Sequence, residues 1–543
     1  MPKTTPLKLD KFNIHKLLID HLNLLQIEPE LQEVQAAPIF TVPVFEHVEK
    51  GLSDSSKSRF PQYGLLGGLS EILNKKTTVS NNSQDPRIFF NIASPSSTFV
   101  CGSQGSGKSH TLSCLLENCL FSSKASKLVN PLTGLVLHYD TFISDAGGSP
   151  CEAAFLSSNP DIKVRVLCSP ANIHTIKRAY SGLNVQIEPL RINESDLNTK
   201  RMLDLMAVNQ DDGPMPLYLH VVNRILRDMR IEQQKAETTF DYQSFKLQLM
   251  GAGMTPAQMG PLNQRLDTLE SFMPKAQTGA EQSYMRKGGF QGKGKEKVQG
   301  KVQGKVQEKV QGKVQGNVQG KVQGKAAGKG GNDWTPKPGR LTIVDLSCPC
   351  ITSEGACSLF NICLSIFLEQ SIDVGRVIAL DEAHKYMNTS AEASTLRNTL
   401  LSTVRLQRHL GARVIISTQE PTISPSLLDL SSVVIVHRFT SPEWLNSLKR
   451  HLAGAASDLL DGDNTDSNGL ASSKGKGDGT KRLFAEIVKL RVGEALLFSP
   501  NAMIDVEVDS NGKVTLKKLG DGFLKIRVRM RLTADGGKSI MAT

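Results

Sequence analysis

Gly102-Ser103-Gln104-Gly105-Ser106-Gly107-Lys108-Ser109 is the stretch of this chain whose residue types and spacing do a recognisable kind of chemistry. It fits the pattern G-x-x-x-x-G-K-[ST] at every position. Glycines let the backbone curl until successive N–H groups face phosphate oxygens, and a helix beginning there adds the positive end of its dipole. The spacing lets Lys108 reach the β- and γ-phosphates and places the Ser109 hydroxyl to ligate Mg²⁺. Backbone from Gly102 through His110 is the expected cradle for a nucleoside triphosphate. The flanks agree: Thr98-Phe99-Val100-Cys101 is strand-forming and Thr111–Leu116 can open a helix, the context the pattern requires.

A second group of candidates lies far along the chain. The apolar run Arg376–Leu380 reads as a buried strand ending in Asp381-Glu382-Ala383-His384. An Asp at such a strand end holds Mg²⁺, usually through its waters, and the Glu beside it orients or deprotonates the water that attacks the γ-phosphate. Gln419 closes the strand Ala412–Thr418, where a γ-phosphate sensor would stand. The transition state also needs positive charge, often an arginine from a neighbouring subunit. Arg405, Arg408, Arg438 and the tail arginines Arg527, Arg529 and Arg531 are candidates. Cys348-Pro349-Cys350, with Cys357 and Cys363, lacks a matching pair or histidine spacing and reads as buried thiols rather than a zinc site.

The elements that must position these groups alternate between strand and helix patterns. Strand runs occur at Arg87–Ile92, Gly134–Tyr139, Ile162–Leu167, Val185–Leu190, Arg340–Asp345, Ser432–Phe439 and Glu494–Phe498. Pro189 assigns the Val185 run to an edge. Helix patterns occur at Leu197–Val208, Leu217–Met229, Ala356–Gln370 and Glu392–Arg408. This alternation implies an α/β fold with a mostly parallel sheet covered by helices on both faces. The expected division is 1–86, an N-terminal helix with an irregular or small β region; 87–208, the first part of the core; and 209–285, a helical insertion. A repeat linker, 286–339, the second core part, 340–500, and a β tail, 501–543, complete it.

The chain has 543 residues and a net charge of +11. Residues 293–329 hold ten lysines against two glutamates, so this tract carries +8 and the rest about +3. Its Lys-Val-Gln-Gly unit repeats every four residues. Glycine at that spacing costs a helix about 1 kcal/mol each time, and isolated valines cannot offset chain entropy, so the tract reads as a disordered tether. The residues near 453–480 read as a Gly/Ser/Asp-rich loop. No apolar run is long enough to span a membrane, and no secretory signal is apparent. Nine scattered cysteines suit an intracellular protein, of cytoplasm or nucleus.

In this order the phosphate loop, Leu341–Ser347, Val377–His384, Gly411–Gln419 and Val492–Leu496 resemble the HerA–FtsK superfamily of P-loop ATPases, closest to its HerA branch. The resemblance covers roughly 87–208 and 340–500. It implies a RecA-like core in which the Gln-tipped strand lies between the loop strand and the Asp-Glu strand. It further implies ATP hydrolysis with Mg²⁺, a homo-hexameric ring that translocates double-stranded DNA, and room for a nuclease or other protein partner. By position Lys108 and Ser109 become the loop ligands, Asp381 the Mg²⁺ aspartate, Glu382 the catalytic base and Gln419 the sensor. A DEAH-box helicase would share the letters of 381–384 but needs a Q-x-x-G-R-x-G-R stretch, which this chain lacks. A nucleotide-gated switch or scaffold, without translocation, is the alternative from another class.

Overall fold

The computed structural model describes residues 29–50, 58–74, 85–142, 148–205, 217–278, 330–451, 478–508 and 514–536. The Lys-Val-Gln-Gly tract, the helix pattern before residue 29 and most of the Gly/Ser/Asp-rich stretch lie outside these residues. The strands are β1 (Ile39–Thr41), β2 (Tyr63–Leu69), β3 (Arg87–Asn91), β4 (Ser97–Cys101), β5 (Ser126–Lys127), β6 (Thr133–His138), β7 (Lys163–Cys168) and β8 (Val185–Pro189). They continue as β9 (Arg340–Asp345), β10 (Arg376–Leu380), β11 (Ala412–Thr418), β12 (Val433–Val436), β13 (Glu494–Phe498), β14 (Met503–Val508), β15 (Val514–Lys518) and β16 (Leu524–Val528).

Eight strands form a parallel sheet in the order β12-β4-β11-β10-β6-β9-β7-β8. β4, β6, β10, β11 and β12 are buried at every position, as strands covered on both faces must be. β8, which ends in Pro189, takes the outer position. β11 lies between β4 and β10, with Thr418 beside Cys101 and Ile416 beside Leu380. That register sets the loop, Gln419 and Asp381-Glu382 along one edge, at the carboxyl ends of parallel strands, where ligands of open α/β sheets bind. The arrangement is the α/β core of a RecA-like P-loop NTPase.

Beyond β12 the sheet turns antiparallel and continues β13-β16-β2-β3-β1, after which β14 pairs parallel to β1 and β15 antiparallel to β14. Amino- and carboxy-terminal strands therefore interleave in one extension. A small core of its own, Val34, Phe40, Val44, Val48, Phe60 and Met503, packs there, with Phe40 stacked on Phe60 at 3.9 Å between ring centres.

Two buried arginines tie strand starts to their surroundings. Arg376, fully buried, donates to the carbonyls of Leu368 at 2.9 Å and Ser371 at 2.7 Å, so it satisfies the end of the helix Ser353–Glu369. Arg413 donates to Ala93 O at 2.8 Å and Gly411 O at 2.9 Å, which fixes β11 against the link into β4. Among the described residues a second compact unit comprises 190–205, 217–278 and 330–333, and its helices include Thr199–Leu205, Leu217–Ala236, Tyr242–Met250 and Pro256–Ser271. No helix among the described residues is long and apolar enough to cross a membrane.

Candidate nucleotide-binding and hydrolytic site

Strand β4 delivers the chain into the loop, and the helix Lys108–Leu120 takes it away. Gly102 has φ 154° and Gly107 φ 114°, left-handed values that a side chain resists. A Cβ on Gly102 would sit 2.6 Å from the Cβ of His437, so only glycine fits between the loop and the end of β12. The helix has no side chain capping its first N–H groups. Those donors and the dipole behind them suit an anion at the loop.

Neighbouring elements hold the loop in shape. The backbone N–H and hydroxyl of Ser103 both donate to Arg438 O, at 2.9 and 2.8 Å. Gly493 N–H donates to Ser106 O at 3.3 Å, and the Ser106 hydroxyl to Ser103 O at 2.7 Å. Lys108 is buried and lies across the loop with Nζ 3.1 Å from Ser103 O. Burial lowers the pKa of Lys108, while the charges of Glu382 and Asp381 pull it back up, so both acids lie within electrostatic reach of the loop lysine. Ser109 stands half-buried in the helix's first turn. The His110 imidazole instead meets Arg529 O at 2.8 Å, which leaves its backbone N–H as the part available to a phosphate.

Glu382 begins the turn after β10 with φ 48°, one of two non-glycine residues with positive φ among those described. Such backbone costs about 1–3 kcal/mol and persists where surroundings enforce it. Here it aims the carboxylate back across the sheet edge: Gln419 Nε2 donates to Glu382 Oε2 at 2.9 Å. His384 completes the group, with Nδ1 3.5 Å from Glu382 Oε2 and accepting from Gln419 N–H at 3.4 Å. Burial lowers the pKa of His384 despite the Glu382 charge, which favours the neutral imidazole that this acceptor role needs.

Asp381 is buried at the tip of β10. Its Oδ2 meets His138 Nδ1 at 3.1 Å and the Cys151 thiol at 3.6 Å. Burial opposes its ionisation, yet the hydrogen bond and charge of His138 hold the carboxyl below its ordinary pKa. Oδ1 is buried without a hydrogen-bond partner. A buried carboxylate oxygen left unpaired fits a magnesium-bound water, so Asp381 and Ser109 are chemically suited to hold Mg²⁺.

Residues beyond the sequence-based candidates also belong to the site. His437, fully buried beneath the loop, donates from Nδ1 to Glu494 O and accepts at Nε2 from the Thr111 hydroxyl, both at 2.9 Å. Burial drives its pKa down to about 4. Above pH ~6.5 the imidazole is neutral in both folded and unfolded chains. Between that value and pH ~4 only the unfolded chain takes the proton, so stability falls as pH drops through the window, by ~3 kcal/mol in all. Urea unfolding across this interval should show the loss, and His437→Gln should show a smaller one. His138, Cys151 and His437 carry no motif spacing, whereas His384 closes the Asp-Glu-Ala-His run; a polar residue ending an apolar strand, as at His138 and His437, was the one available signal for the others.

The tail arginines are drawn inward. Arg529 pairs with Glu117 at 2.7 Å, both buried, and Arg531, also buried, pairs with Glu152. Arg527 bonds Glu494 at 3.3 Å. These partners make Arg529 and Arg531 internal struts rather than fingers reaching a neighbour, while Arg405, Arg408 and Arg438 are exposed. Cys348, Cys357 and Cys363 are buried thiols outside any disulfide, and Cys350 is exposed.

No family model matches the chain, and no curated protein matches it. Among solved structures, the chain is similar to VirB4 of Thermoanaerobacter pseudethanolicus at 10% identity and a TM-score of 0.40, covering 89% of this chain and 98% of that one. It is similar to the plasmid coupling protein TrwB, in complex with a non-hydrolysable ATP analogue, at 10% identity and 0.39, covering 90% and 97%. A third is the genome packaging NTPase B204 of Sulfolobus turreted icosahedral virus 2 with ATP-γS, at 12% identity and 0.20, covering 33% and 67%.

Proposed function

We propose that this chain is a Mg²⁺-dependent ATPase of the HerA–FtsK kind, in which hydrolysis drives translocation of double-stranded DNA by a homo-oligomeric ring. One observation carries the hydrolytic reading: Gln419 on β11 is hydrogen-bonded to Glu382 on β10, beside the loop at the end of β4. Three adjacent strand tips thus bring together a phosphate cradle, a general base and an amide. The loop N–H groups and Lys108 bind the β- and γ-phosphates. Glu382 takes a proton from the attacking water, and Gln419 holds that carboxylate and senses the γ-phosphate. Asp381 and Ser109 would hold Mg²⁺, which would supply positive charge against that developing on the phosphates. Positive charge for the transition state comes from a neighbouring subunit, with Arg405, Arg408 and Arg438 as the exposed candidates.

The test of the nucleotide site is Lys108→Ala. Titration with a fluorescent ATP analogue should show affinity reduced at least ~100-fold, since a buried charge-assisted contact to phosphate is worth roughly 3 kcal/mol. Unchanged affinity would remove the loop from the site. Duplex DNA should accelerate ATP turnover by the wild type, and electron microscopy with ATP should show rings. An active ATPase indifferent to DNA would instead support the nucleotide-gated switch.

A further inference from the structure

On the side of Asp381 occupied by Oδ2, three donors of different chemistry converge. His138 Nδ1, Cys151 Sγ and the Asp381 carboxylate all lie within 4.8 Å of one another. The two edges that meet at Oδ2 measure 3.1 Å to the imidazole and 3.6 Å to the sulfur. Zinc bonds of about 2.0–2.3 Å in tetrahedral geometry space neighbouring ligand atoms roughly 3.3–3.8 Å apart. Both Oδ2 edges match that spacing to a few tenths of an ångström, and the imidazole and sulfur lie within 4.8 Å of each other. All three residues are more than nine-tenths buried. Asp381 Oδ1 and His138 Nε2 are buried there without a hydrogen-bond partner. The surroundings hold the thiol in place: the Cys151 N–H donates to the Tyr180 hydroxyl at 3.0 Å, which donates to Asp345 at 2.6 Å. Such outer bonds orient metal ligands.

We propose that His138, Cys151 and Asp381 form a site for a soft divalent ion of the zinc type, and that an ion bound there switches hydrolysis off by occupying Asp381. The second half rests on the function proposed above. Binding is a ligand exchange without redox change. Bonds form from the metal to Sγ, Nδ1 and Oδ2; the thiol proton leaves for solvent, and Nδ1 gives up its proton while Nε2 carries one, so the ring binds as a neutral imidazole. One thiolate, one carboxylate and one neutral imidazole balance the two positive charges, which a buried ion requires. The nitrogen, sulfur and oxygen donors select zinc or cobalt over magnesium, which prefers oxygen alone. Bound at Oδ2, the ion neutralises the carboxylate and so weakens Oδ1, the oxygen left to hold the magnesium-bound water.

The test uses the full chain carrying Cys350→Ser, which removes the exposed thiol, stripped with chelator and titrated with Co²⁺ and Zn²⁺. One equivalent of cobalt should give the near-ultraviolet thiolate-to-metal charge-transfer band and the strong visible bands of a tetrahedral site. Cys151→Ser in this background should abolish the charge-transfer band and weaken zinc by more than the ~10–100-fold typical of losing an outer supporting group. A cobalt titration without a thiolate band overturns the site whether or not the Cys151 variant folds; so does a band that survives the substitution. One equivalent of zinc should lower ATP turnover at least ~10-fold, leave binding of the fluorescent nucleotide unchanged, and be reversed by chelator. Full turnover by the zinc-loaded chain overturns the switch. Stoichiometric zinc with the cobalt signature, in a chain that never hydrolyses ATP, supports the site and refutes the ATPase reading instead.

Discussion

Glu382→Gln should leave ATP binding intact and lower its turnover by about 10²–10⁴-fold, the range spanned by general-base catalysis. The substitution removes the proton acceptor but keeps shape and hydrogen-bonding capacity. A glutamine at 382 can still accept from Gln419 Nε2, which now bonds Glu382 Oε2 at 2.9 Å, and it tolerates φ 48° as poorly or as well as glutamate does. The lysine and loop are untouched, so the variant should trap ATP. Single-turnover hydrolysis alongside equilibrium nucleotide binding separates the two steps. Turnover within a few-fold of wild type would take Glu382 out of the chemistry and leave Gln419 without a partner in it.

Glu117→Gln should cost about 3–5 kcal/mol of unfolding free energy, the range for breaking a buried ion pair by removing one partner. Arg529 spends all five of its N–H donors internally. It reaches Leu65 O at 2.9 Å, Glu117 Oε2 at 2.7 Å, Met530 O at 2.8 Å, and Cys114 O and Asn118 Oδ1, both at 3.0 Å. Glu117 in turn accepts from the Thr533 N–H at 2.9 Å, the Thr533 hydroxyl at 2.6 Å and the Leu532 N–H at 3.1 Å. Burial opposes the charge on Glu117, but the bonds from Thr533 and Arg529 win and hold its carboxyl below its usual pKa. The amide would leave the Arg529 guanidinium buried and uncompensated. Because Glu117 lies on the helix that begins at Lys108, the tail is strapped to the element behind the glycine loop, and on the proposed function nucleotide affinity should fall with stability. Urea unfolding measures the first effect. A loss below ~1 kcal/mol would show the tail to be dispensable.

Much of the parallel core was legible in the residues. β10 and β11 are apolar runs bounded by charged or polar residues, and a strand buried on both faces reads that way wherever it lies in the sheet. The loop was equally plain, because its glycines and lysine act through local backbone geometry. Pro189 at the end of β8 marked an edge strand, since proline cannot donate to a neighbour. The interleaving of β1–β3 with β14–β16 left no such trace. β1 has three residues, only the first residue of β14 is fully buried, and the joins of β1 to β14 and of β2 to β16 link residues hundreds of positions apart.

By itself, then, the sequence determined the glycine loop of 102–109, the strand carrying Asp381 and Glu382, and the strand carrying Gln419, because period, glycine placement and terminal acids are properties of short segments. Tertiary structure alone decided that β11 lies beside both β4 and β10, that Glu382 turns back to Gln419, that Asp381 is gripped by His138 and Cys151, and that Arg529 reaches Glu117. The physical reason is the same each time. These contacts satisfy buried polar groups with partners on other elements, and local periodicity says which face is buried without saying what meets it there.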